Sequence, residues 1–147
     1  MNRIREEYVE TGKVKFVYKH FAILGPESNR GAEASECAAE QEAFWPFHDL
    51  VFKDQVENYS TLDQETLVAF AEQLELDAEA FRECLASNRY SLQIQQESQT
   101  VSALGLRGTP GFLVNGMFIN GAQPFEVFQQ VIDEQLAAVT AEEGVGG

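Results

Sequence analysis

A chain of 147 residues has room for one domain with a real core and not for two independent ones. With 44% apolar and 11% aromatic residues it reads as globular rather than disordered, and its formal charge of -14 sets aside nucleic acid and anionic membrane surfaces as main partners. No apolar run reaches the roughly 20 residues of a bilayer span, and "MNRIREEYVE" carries no apolar stretch of a signal peptide.

In chain order, "MNRIREEYVETG" reads as the last turns of a helix, with Ile4 and Tyr8 on one face and Gly12 as the stop. "KVKFVYKHF" sets Val14, Phe16, Tyr18 and His20 against Lys15, Val17 and Lys19, a period of two that predicts a strand from about Val14 to Phe21. "ILGPESNRG" reads as a loop. Residues 31–53 are helical in pattern, with a break or second start near Pro46. Thr61 stands at capping-box distance before Gln64 and opens a helix carrying Leu67, Phe70, Ala71 and Leu74. Asp77 is placed to cap a short helix, and Asn88 leads into another that Gly105 ends. The core of this helical block is expected to include Trp45, Phe52, Phe70 and Leu74.

Phe112 to Val114 and Met117 to Ile119 flank Asn115-Gly116, the signature of a two-residue type I′ hairpin. Pro110 stands at its mouth between Gly108 and Gly111, where a sharp turn or a close approach of another chain is permitted. Pro124 fits the first position of a final helix whose face is read as Val127, Phe128, Val131, Gln135 and Val139, and "AEEGVGG" is expected to fray.

The chemistry-bearing residues are few. His20 and His48 are the two histidines and show no ligand spacing, so no metal site is expected; His48 reads as a packed, hydrogen-bonded side chain. No phosphate-binding glycine loop, nucleophile elbow or dinucleotide fingerprint occurs, and no cofactor is expected. Cys37 and Cys84 are the two cysteines, and buried free thiols or a bridge both fit their helical setting. A catalytic role is not read for them: neither opens a helix after a strand, Arg82 is the one cation in helical reach, and Glu36, Glu40 and Glu83 oppose ionisation.

From Ile4 to about Leu136 the chain resembles the DsbA-like thioredoxin-fold thiol-disulfide oxidoreductases. The resemblance rests on "REEYVETGKVKFVYKHF", "AEASECAAEQEAFWPFHDLVF", "FRECL" and "GTPGFLVNG", in that order. It implies an α/β (α+β) thioredoxin-like fold, a single domain over 1–147 with a helical insertion at about 28–104, then a cis-proline loop, hairpin and final helix at about 105–140. It implies disulfide exchange with extracytoplasmic or periplasmic proteins, with Gly108, Thr109 and Pro110 as one wall of a groove for extended peptide or protein substrates. It also implies a structural disulfide between Cys37 and Cys84.

The chain departs from the family pattern where the first strand and the Cys-x-x-Cys would come, so no catalytic residue carries over and the chain as given is expected to be inactive. A redox-inactive peptide-binding module and a glutathione-dependent isomerase or transferase relative are the alternatives. The missing strand would lie between residues 14–21 and the hairpin, and the gap is expected to be met by a homodimer sharing strands or helices across it, or else to leave a loosely packed N-terminal third.

Overall fold

The computed structural model describes the backbone of residues 2–145 and the side chains of residues 3–141, so most of the expected frayed tail lies outside the described side chains. The chain divides into two compact units, residues 19–103 and residues 1–18 with 104–147.

The 19–103 unit is helical. The first helix here, α2, spans Pro26–Ala39. It begins five residues before the expected start, inside the stretch read as a loop, because Gly25 turns the chain at φ 99° and Pro26 sits in the first turn, where its missing N–H costs nothing. Helix α3, Phe44–Glu57, holds Pro46 in its own first turn for the same reason. Helix α4, Gln64–Gln73, is capped by Asp63 and not by Thr61: the Asp63 carboxylate accepts the Thr66 N–H at 2.9 Å, and the Thr61 hydroxyl donates to Asp63 at 3.1 Å. Helix α5, Ala78–Ser87, has Asp77 as its cap, accepting from Glu79 and Ala80. Asn88 ends it in the left-handed region at φ 50°, and α6 follows as Ser91–Ala103.

These helices share one core in which Phe47, Leu67 and Phe81 are fully buried, with the Phe47 and Phe81 rings 5.4 Å apart. The expected core positions Trp45 and Phe52 are displaced. Helix α3 turns Phe47, Val51 and Asp54 inward instead, leaving Phe52 57% exposed and Trp45 half-buried beside His48. His48 lies against Phe44, Trp45 and Phe52, and its Nδ1 is 3.0 Å from the Asp49 carboxylate.

In the other unit, α1 (Asn2–Ile4) runs into a π-helical turn, Arg5–Val9, before Gly12 at φ 73°. Strands β1 (Gly111–Val114) and β2 (Met117–Asn120) pair antiparallel, joined by Asn115 at φ 46° and Gly116 at φ 92°. Helix α7 spans Phe125–Val145. The core consists of Ile4, Tyr8, Ile119, Phe128 and Ile132, with Val14, Phe112, Val114, Phe125, Val131 and Leu136 against it. The inward face of α7 is therefore rotated from the one read in the sequence: Val127 and Val139 are exposed, and Phe125, Ile132 and Leu136 take their place. Tyr8 donates its phenol proton to Asp133 at 2.8 Å, and burial with this carboxylate beside it raises the Tyr8 pKa.

The strand expected from Val14 to Phe21 does not form; among the described residues the sheet consists of β1 and β2. The side-chain alternation survives, with Val14, Phe16 and Tyr18 half-buried and Lys15, Val17 and Lys19 exposed. Alternation follows from an extended backbone, whereas a strand also needs a ladder, and among the described residues this segment is not part of one. Within residues 19–103, side chains substitute for a ladder: the His20 N–H donates to Glu97 Oε2 at 2.9 Å, Lys19 Nζ lies 3.0 Å from Glu97 Oε1, and the Ala22 N–H reaches Ser98 Oγ at 3.2 Å. The His20 ring is buried, with Nε2 at 2.8 Å from Glu36.

Burial works against the Glu97 charge, but the His20 N–H and Lys19 outweigh it and hold the Glu97 carboxyl below its ordinary pKa. A carboxylate depressed in this way stabilises the fold above its unfolded pKa, and that contribution is lost as pH falls through the folded value. Urea unfolding between neutral pH and about pH 3 is expected to show this loss in the wild type and a flatter profile in Glu97→Gln.

Candidate functional site

Helix α6 ends before Gly105 at φ 97°, and the chain then buries Leu106 and exposes Arg107, Gly108, Thr109 and Pro110. The Thr109-Pro110 peptide bond is cis. In a two-residue hairpin the residues flanking the turn form a hydrogen-bonded pair, so Val114 faces Met117 and Phe112 faces Ile119 across close rungs. The next rung is the Gly121 N–H donating to Pro110 O at 2.9 Å. Proline has no proton to return, so the ladder ends there. Thr109 is exposed immediately beyond it, and the backbone groups of Gly111 and Leu113 point away from β2 along the same edge.

The two glycines around Pro110 differ in kind. A Cβ on Gly111 would collide with the Leu106 side chain and stand 3.4 Å from Gly108 O, so the packing of Leu106 demands glycine. A Cβ on Gly108 would meet nothing within 4 Å. The fold does not require glycine there, and the space beside Thr109 is open.

The sequence-predicted residues thus fall into two places. Gly108, Thr109 and Pro110 share one exposed loop; Cys37 and Cys84 lie in the helical unit, where they form a disulfide joining α2 to α5 with both residues 1% exposed. There are no free cysteines among the described residues. Nor do those residues group three or more His, Cys, Asp or Glu side chains in a way that could hold a metal ion.

Sequence reading missed a cluster on Cys84. Arg89 Nε lies 3.4 Å from Cys84 Sγ and pairs with Glu40, which also accepts the Tyr90 phenol proton at 2.7 Å. The Glu40 hydrogen bond, together with burial, raises the Tyr90 pKa. Arg89 lies outside helical reach of Cys84 in the sequence, and only the left-handed turn at Asn88 folds it back.

Comparison with known proteins agrees with this architecture. The thioredoxin family model matches residues 1–134. The Na(+)/H(+) antiporter NhaA 3 of Salinispora tropica is 35% identical over 92% of the chain, which corresponds to 20% of that protein. The probable disulfide bond formation protein D of Bacillus anthracis is 28% identical over 91% of the chain and 63% of its own length. Among solved structures, oxidised BdbD from Bacillus subtilis superposes with a TM-score of 0.82 over 93% of this chain and 76% of that one, at 22% identity. Alpha-DsbA1 of Wolbachia pipientis gives 0.77 over 96% and 77%, at 23% identity.

The fold and the loop at Pro110 define a thioredoxin-like protein. The chain belongs to the thioredoxin family, and the DsbA-type structures share its fold. It spans a fifth of the antiporter and just under two thirds of protein D.

Two substitutions test the packing. Gly111→Ala is expected to lower stability by about 1–3 kcal/mol, as overpacking does, and Leu106→Ala in the same chain is expected to recover part of that loss in a double-mutant cycle. Replacing both cysteines by alanine is expected to cost at most about 4 kcal/mol by the chain-entropy relation, measured by urea unfolding of the oxidised chain against the variant.

Proposed function

We propose that this chain is the substrate-holding body of a DsbA-like oxidoreductase acting on extracytoplasmic proteins, and that it binds extended polypeptide along Gly108, Thr109 and Pro110. The observation that carries the reading is the exposed loop itself. Thr109 stands at the end of the hairpin ladder, beyond its last rung, with open space at Gly108, so an incoming strand can pair with backbone there without displacing a side chain. The disulfide bond formation relatives and the family membership support it.

Exchange chemistry needs an accessible thiolate to attack a disulfide. Both cysteines of this sequence are buried in one bridge, so the chain by itself holds substrate and does not turn it over. That feature also favours the second reading, a redox-inactive peptide-binding module. The absence of a free thiol is common to both, and they differ in whether exchange chemistry is supplied alongside the loop.

Amide spectra recorded with an added extended cysteine-containing peptide are expected to shift at Arg107, Thr109 and Gly111; shifts confined to other surfaces would overturn the loop assignment. Insulin reduction and peptide oxidation by the chain are expected to stay at background. Activity that disappears when Cys37 and Cys84 are both replaced by alanine would contradict the proposed division of labour.

A further inference from the structure

We infer that the Cys37–Cys84 bridge is an asymmetric thiol-disulfide site in which Cys84 becomes the reactive thiolate once the bridge is opened, with Arg89 as the residue that selects it. The two sulfurs are equally buried, so desolvation opposes ionisation of both to a similar extent. Their charged surroundings differ. Arg89 Nε stands 3.4 Å from Cys84 Sγ, while Cys37 lies on α2 between Ala34 and Ala38 in the apolar core.

The groups around Cys84 decide the sign. From α2, Glu40 Oε1 approaches to 3.8 Å. A bridged sulfur has no proton to donate, so this is a contact between electron-rich atoms that opposes a thiolate. Arg89 is closer and binds Glu40 at 3.1 Å, neutralising it. Tyr90 donates to the same oxygen, Oε1, at 2.7 Å, and so partly screens its charge at the point nearest the sulfur. Glu36, one turn earlier on α2, is engaged by the His20 ring at 2.8 Å, and Glu83 next to Cys84 on α5 is exposed. Ser87 donates to the Cys84 carbonyl at 2.6 Å. Phe47 and Phe81 belong to the same buried apolar cluster as both cysteines. The ion pair therefore presents its positive end to Cys84, Arg89 Nε at 3.4 Å against Glu40 Oε1 at 3.8 Å, and a cation nearer than its counter-charge lowers a thiol pKa.

The reaction balances with a small dithiol as reductant. Because both cysteines are 1% exposed, attack requires a local parting of α2 from α5, which makes opening a slow single event and not a turnover. The first thiolate then attacks Cys37 Sγ, the S–S bond breaks and its electron pair leaves on Cys84 Sγ, next to Arg89. The second thiol attacks the mixed disulfide, releasing Cys37 Sγ and closing a cyclic disulfide, so two electrons pass to the protein. Each protein sulfur then takes up a proton according to its own pKa, Cys84 the less readily.

Two single variants isolate the thiols: Cys37→Ala leaves Cys84, and Cys84→Ala leaves Cys37. Thiolate absorbance is expected to appear at lower pH for Cys84. Alkylation by iodoacetamide below both ionisations is expected to be faster there by about threefold for each pKa unit of difference, the tenfold gain in thiolate fraction being offset in part by the lower nucleophilicity of the lower-pKa thiolate. In the Cys37→Ala background, Arg89→Met is expected to slow Cys84 alkylation, Glu40→Gln to speed it and Arg89→Lys to keep Cys84 ahead of Cys37. Circular dichroism reports whether each variant is folded. Peptide mass analysis of the wild-type chain after brief dithiol reduction gives the order without any substitution. Equal or reversed rates there overturn the inference. So does movement of the Arg89→Met and Glu40→Gln rates in the same direction, which would report exposure of the sulfur and not its charge environment.

Discussion

A backbone amide withdrawn from water has to be given a partner, and much of this fold is arranged by how that requirement is met where a ladder stops. The hairpin satisfies its inner rungs from within and reaches its last one at the Gly121 N–H on Pro110 O. Residues 19–22 meet it differently, by borrowing Glu97 and Ser98 of α6 as acceptors. One carboxylate thus takes on work that a neighbouring strand would do. It does so at a cost in desolvation, which is why the Glu97 environment combines a burial penalty with donors strong enough to overcome it.

Beyond residues 19–22, the helical unit meets the same requirement within its helices. Its apolar residues converge on Phe47 and Phe81, Asp63 and Asp77 cap α4 and α5, and the disulfide ties α2 to α5 inside that core. A bridge placed there restrains the unfolded chain over a long loop while leaving the exposed loop at Thr109 untouched. The bridge and the loop proposed to hold substrate accordingly lie in separate parts of the chain.

What could be read from the sequence follows the range over which each signal acts. Local chemistry was legible: Asn115-Gly116 in the hairpin turn, Asp77 as a cap, Gly12 and Gly105 as stops. Signals that depend on neighbours were not. The alternation from Val14 to Tyr18 correctly gave which side chains turn inward and incorrectly gave a strand, because pairing is a property of two segments. Trp45, His48 and Phe52 form one face of α3 by helical spacing, yet Phe47, Val51 and Asp54 form another, and only packing against the neighbouring helices chooses between the two. For the site, Gly108 to Pro110 could be singled out by residue type, but the reason for each glycine could not: Leu106 dictates Gly111 and leaves Gly108 open.

Arg89 shows the same limit most sharply. Counted along a helix from Cys84 it points elsewhere, so the sequence offers Cys84 three carboxylates and one distant cation, an environment that would suppress any thiolate. Asn88 changes this by adopting φ 50°, a conformation its short polar side chain tolerates better than most residues. The helix stops, the chain reverses, and Arg89 arrives at the sulfur with Glu40 already in its grasp. A residue chosen to end a helix therefore also sets the electrostatics of a disulfide. Replacing Asn88 with a β-branched residue would disturb both through a single backbone angle, since such side chains resist the left-handed region.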